Sequence, residues 1–66
     1  MQDLSEIVGF AWIHNKTGNV YSAVGTATDA TNDATGRIMV IYHRPGQHDF
    51  FVREVSEFRD KFRPMA

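Results

Sequence analysis

Cysteine is absent from the sequence. That excludes disulfide staples and thiolate metal centres, and it fits a reducing, cytoplasmic setting. No apolar run approaches the roughly 20 residues that a membrane-spanning helix needs. Charge of one sign is lacking too: seven basic side chains face eight acidic ones, for a net charge of −1. Nucleic-acid-binding domains usually carry a basic excess, so the balance disfavours that kind of partner. Clustered glycine is lacking: Gly18, Gly25 and Gly36 stand apart, and no phosphate loop of the G-x-x-x-x-G-K-[ST] type can be drawn. The opening MQDLSEIVGF carries an early acid and no basic stretch, unlike a secretory signal. With the initiator Met and the short length, it is expected to open a complete gene product. No internal repeat is evident.

Hydrophobic residues, by contrast, make up 42% of the 66 positions and aromatic ones 12%. That suffices for a globule and is too apolar for a disordered chain. A domain of this size buries only about 60% of its unfolded surface, so large rings are an efficient filling for a small core. One domain over residues 1–66 is expected, with 1–6 loose.

Ile7-Val8-Gly9-Phe10-Ala11-Trp12-Ile13-His14 is β-branched and aromatic, and reads as a strand. Phe10, Trp12 and His14 share one face. Residues 15–19 form a turn around Gly18. A second strand covers 20–28, and Gly25 inside it marks a bulge or a corner. DATNDAT, residues 29–35, is a polar hairpin loop with Asn32-Asp33 at its tip. Residues 37–43 form the most hydrophobic strand, apolar on both faces over 38–41. Either a helix covers one of those faces or a second copy of the chain does, which makes strand 38–43 a candidate homo-oligomer contact. Pro45-Gly46 is a turn pair, and residues 49–53 make a short last strand. Val55, Phe58 and Phe62 recur at i, i+3 and i+7, as on one face of a helix. A Glu57–Lys61 pair supports that helix and Pro64 ends it. The expected fold is mainly β: a small, strongly curved antiparallel sheet, or SH3-like barrel, of four to five strands with a short C-terminal helix.

The run Gly9…Trp12-Ile13-His14-Asn15-Lys16-Thr17-Gly18-Asn19-Val20-Tyr21-Ser22-Ala23-Val24-Gly25-Thr26-Ala27 resembles the opening of a small bacterial and phage family, domain of unknown function 1653. Members read G-x-Y-R-H-x-K-G-x-x-Y-x-V-x-G-x-A. Val40-Ile41-Tyr42 is similar to that family's V-V-Y. Phe51-Val52-Arg53 with Phe58 is similar to its W-V-R-P-x-x-x-F, with Phe51 in place of Trp and Glu54 in place of Pro. The resemblance spans residues 9–58. It implies an SH3-like barrel in a bacterial or phage-infected cell, and no assigned reaction.

His14, His43, His48 and Asp49 are the side chains a metal could use, but none shows ligand spacing. His48 and Asp49 are adjacent on an extended segment and point apart. No metal or other cofactor is expected. Ser22 and Ser56 lie outside any nucleophile elbow, and no catalytic residue is assigned. The candidate binding residues are Trp12, His14, Tyr42, Arg44, His48, Phe51 and Arg53. Phe51 and Arg53 share one face of the last strand. If they point out, they form a ring-and-guanidinium surface. If they point in, Arg53 clasps the chain end and needs a polar partner. Arg44 and His48 flank the Pro-Gly turn and are expected in solvent. The expected role is a non-enzymatic binding or adaptor domain, such as a phage or bacterial modulator acting through contact with a protein partner. The alternatives are a nucleic-acid-binding SH3-like module and an oligomer that sequesters a small ligand.

Overall fold

A computed structural model describes residues 4–31 and 36–65. Five strands and one helix follow in the order β1 (Ala11–His14), β2 (Val20–Thr28), β3 (Ile38–His43), β4 (Phe51–Glu54), α1 (Val55–Lys61) and β5 (Phe62–Pro64). All pairings are antiparallel, and the sheet order is β4-β3-β2-β1-β5. The mainly β expectation holds at this level. β4 and β5 are the two edges, and among the described residues no backbone pairing joins them. The strongly curved sheet or SH3-like barrel expected from the sequence is therefore narrowed to an open five-stranded sheet, in which β1–β4 form a meander and β5 crosses over through α1 to pair with the outer edge of β1.

Three expectations are corrected. The strand drawn over 7–14 begins only at Ala11. Residues 5–9 are a turn instead: the Ile7 and Val8 amides both donate to the Leu4 carbonyl, at 2.9 and 3.2 Å, and Gly9 adopts φ 91°. β-branched residues suggested a strand, but Gly9 permits the positive φ that breaks it. Leu4 consequently packs against the core, so the loose N-terminal segment does not extend to it; residues 1–3 lie outside the described residues. The last strand also sits two positions later than expected at its start, at Phe51–Glu54.

The third correction concerns Phe62. It does not continue the helix: α1 stops at Lys61, and Phe62 is extended at φ −125°, ψ 152°. Phe62 opens β5, a fifth strand hidden behind the helical spacing. It still reaches the core, where its ring stacks on Phe58 with centroids 4.3 Å apart. Pro64 does not terminate the helix but lies in β5 opposite Trp12. An edge strand tolerates it because the missing N–H can face away from the sheet.

The turns agree with the sequence. Gly18 at φ 77° closes the β1–β2 turn, donating its N–H to the His14 carbonyl at 2.8 Å. Arg44 and Gln47 bracket Pro45-Gly46, with Gly46 at φ 84° in the second central position, as a type II turn requires. The β2–β3 register shifts between Ala23 and Gly25, so Val24 is the extra residue of a bulge beside the glycine. The proposed loop tip, Asn32-Asp33, lies outside the described residues.

One face of the sheet carries the core: Ile7, Trp12, Ala23, Val40, Tyr42, Val55, Phe58 and Phe62. α1 delivers Val55 and Phe58 to it. Trp12 meets Phe58 edge-on at 5.3 Å and donates its indole N–H to the Ile7 carbonyl at 3.1 Å. That bond ties the N-terminal turn down over the same face.

Candidate functional site

Glu54 closes β4 and caps α1. Its carboxylate accepts the Glu57 N–H at 3.3 Å and the Ser56 hydroxyl. The Ser56 hydroxyl bond, followed by backbone donation from Ser56 and Glu57, holds the Glu54 carboxyl below the usual carboxylate range. The cap orients the first helical turn so that Glu57 faces back toward Arg53. Glu57 pairs with Arg53 at 2.6 Å, and not with Lys61 as the sequence suggested. Both pairings are four residues apart; the one toward β4 is realised.

Arg53 settles the open question of its face. Its Nε donates to the Tyr42 hydroxyl at 3.2 Å, and its guanidinium lies 5.8 Å from the centre of the Phe62 ring. The residue is half-buried and acts as a clasp, holding β3, α1 and β5 at one point. The partner is a phenol and an exposed carboxylate, so no buried ion pair is needed. The Tyr42 hydrogen bond, aided by Glu57, raises the Arg53 pKa further. Phe51 lies on the same face, 5.6 Å from Tyr42 and 6.4 Å from Tyr21, yet remains 43% exposed at the rim.

His14 sits at the end of β1 with its ring 4.9 Å from Phe62 and 6.5 Å from Tyr21. Its Nδ1 is 3.1 Å from the Thr17 hydroxyl. The following turn is locked to the end of α1 by Asn15. The Asn15 backbone N–H donates to the Lys61 carbonyl at 2.9 Å, and its amide donates to the Asp60 carbonyl at 3.3 Å. These are carbonyls that a helix end leaves open. Arg63 in turn donates to the Asn15 amide oxygen at 3.0 Å.

Between these elements lies an open cleft of about 540 Å³, lined by His14, Asn15, Lys16, Arg53, Asp60 and Lys61. Three cationic side chains and an imidazole face it against a single carboxylate. Among the described residues neither Lys16 nor Lys61 is in an ion pair. The local field is thus positive in a chain whose net charge is −1. A second concavity, about 390 Å³, is apolar and lined by Glu6, Phe10, Ala11, Trp12, Pro64 and Met65.

The expected binding residues are therefore divided. His14 and Arg53 line the cleft. Phe51 lies on the face of β4 that carries Arg53. Trp12 and Tyr42 are buried core rings, Trp12 also forming the wall of the apolar groove. Arg44 and His48 are exposed around the Pro-Gly turn and line neither concavity. Sequence reasoning missed Asn15, Lys16, Asp60 and Lys61, which come together only because the β1–β2 turn docks on the end of α1. Among the described residues no group of three His, Asp or Glu side chains could hold a metal ion, and no helix is long and apolar enough to cross a membrane. Comparison with known family models, curated proteins and solved structures finds no match to this chain.

Proposed function

We propose that the protein is a non-enzymatic binding module that holds an acidic segment of a protein partner in the cleft between the β1–β2 turn and the end of α1. The observation that carries this reading is the excess of cationic lining: Lys16, Arg53 and Lys61 with His14, against Asp60 alone. A carboxylate-bearing segment would gain from Lys16 and Lys61 in particular. Arg53 already donates to Tyr42 and to the Glu57 carboxylate, which offsets its charge, so the two lysines carry the attraction. Exposed Phe51, beside Tyr21 and Tyr42, offers an aromatic contact next to the charges, and rings flanking cations are frequent at binding hot spots.

The reading includes an SH3-like architecture of the kind implied by the resemblance to domain of unknown function 1653. Chain lengths support it. Five strands laid flat would set the edges about 19 Å apart at ~4.8 Å spacing. The seven-residue α1 connects those edges directly and spans only about 10 Å. Arg53 on one edge also reaches the Phe62 ring on the other.

The test is a titration of isotope-labelled protein with a short Glu-rich peptide containing one tyrosine, followed by amide chemical shifts. Changes centred on residues 14–16, 53, 60 and 61, weakened by added salt and lost in the K16E/K61E double variant, are expected. No response at low salt would overturn the proposal. A stronger response to single- or double-stranded oligonucleotides would replace it with the nucleic-acid reading.

A further inference from the structure

The core lies on one face of the sheet, and α1 covers that face. The opposite face is apolar across its middle. Cross-strand pairs share a face, and Val52 pairs with Ile41 while Glu54 pairs with Met39. Phe50 joins them, its ring 5.1 Å from that of His43. Val24 adds a further apolar side chain at the bulge beside Gly25, the residue opposite Ile41. Phe50 is 61% exposed, Val52 58% and Val24 44%. The two edges of the sheet differ as well. β5 carries Pro64, which has no N–H to offer, and Arg63. β4 has neither proline nor lysine, the residues that usually blunt an edge.

We propose that β4 is a self-association edge, and that its occupant is the β4 strand of a second copy, paired antiparallel about a two-fold axis through Val52. The sequence of the edge selects that register. An axis at Val52 sets Val52 opposite Val52 of the partner subunit, Phe51 opposite Arg53 of the partner subunit, and Phe50 opposite Glu54 of the partner subunit. A cation then meets a ring, and no like charges face each other. An axis at Arg53 would oppose two guanidinium groups. An axis at Phe51 would draw in three residues that precede the strand, 48–50, where the Val52 axis draws in Phe50 alone. The Val52 axis also makes the apolar face continuous across both copies, from Val24 and Ile41 of one to those of the other. The edge shares Phe51 and Arg53 with the proposed cleft contacts, but Val52 lies on the other face of β4 and Lys16 and Lys61 lie outside the strand, so substitutions at Val52 and at the lysines separate the two readings.

A four-residue edge is short, so association belongs to the weak class of interfaces. The average mass is expected to rise from that of the 7.5 kDa chain toward twice that value between about 10 µM and 1 mM. Sedimentation of the full chain reads this directly. Val52 is largely exposed, so V52E and V52K should fold, as circular dichroism would verify. Each alone places like charges on the axis and should stay monomeric. An equimolar mixture should recover the dimer, because glutamate then faces lysine. A wild-type chain that remains monomeric throughout overturns the proposal and leaves the face to a different occupant. So does undiminished dimerisation of either single variant, or a mixture that stays monomeric.

Discussion

The two faces of this sheet are built from the same residue types and have opposite fates. In β3, Val40 and Tyr42 are buried beneath Val55, Phe58 and Phe62, while Met39 and Ile41 are only half-covered on the other side. Strand sequence alone could not create that difference, since 38–41 is apolar on both faces. The chain after β4 decides it. Glu54 caps α1 so that Val55 and Phe58 fall on one face, and Phe62 follows as β5. The short N-terminal turn adds Ile7 and Leu4 to the same side. Among the described residues the covering elements lie on one face only, and Val24, Phe50 and Val52 stay exposed on the other.

The sharpest way to break the comparison is to truncate one side chain on each face. Phe58 is 0% exposed and touches Trp12, Tyr42 and Phe62. Phe58→Ala should cost about 3–5 kcal/mol. A domain of this size holds only about 3–10 kcal/mol in total, so thermal unfolding should shift far downward or lose its cooperative transition. Val52→Ala, on the open face, should change stability by less than about 0.5 kcal/mol at dilute, monomeric concentration. Equal losses from the two variants would mean that both faces contribute to folding.

A narrower change tests whether the N-terminal turn belongs to the covered face. Trp12→Phe keeps an aromatic ring against Phe58 but removes the N–H bonded to the Ile7 carbonyl. The carbonyl is then left without its buried donor, at a cost of about 1–3 kcal/mol. Amide exchange should quicken at Ile7 and Val8, which donate to Leu4, more than in β3. Uniform quickening would place the loss in the core as a whole.

How much of this asymmetry could be read in advance follows from the range of the interactions. Turns at Gly18 and Pro45-Gly46 were legible because glycine and proline fix backbone angles locally. The third strand was legible from its composition. Phe62 was not, because i, i+7 spacing from Val55 fits a helix face equally well as a core position reached after the helix has ended. Gly9 lost to the β-branched residues around it. In the cleft, His14 and Arg53 were singled out for their chemistry. Lys16 and Lys61 were not, because only the Asn15 bonds to the Asp60 and Lys61 carbonyls bring the two lysines to one place. The outcome for Arg53 depended on Tyr42, eleven positions earlier, presenting its hydroxyl at the right height.

The smallest expected effect lies at the hinge between the faces, where Glu54 ends β4 and starts α1. Its carboxyl titrates below the ordinary range because the charged form accepts the Ser56 hydroxyl and the first helical amides. A folded pKa below the unfolded one means that the carboxylate stabilises the fold above the unfolded value, about 4.3 for Glu. That contribution disappears as the pH falls through the folded value. Glu54→Gln resembles the protonated state at every pH. Wild type should therefore melt slightly higher than the variant at pH 7, and the gap should close as the pH falls below the unfolded value of about 4.3 and through the lower folded one. Asp29 has the same sign, held low first by the Thr31 N–H, but is untouched by this substitution, so it cancels in the difference. A gap that stays constant down to pH 2 would show that the Glu54 charge does not set the start of α1, and with it the choice of which face is covered.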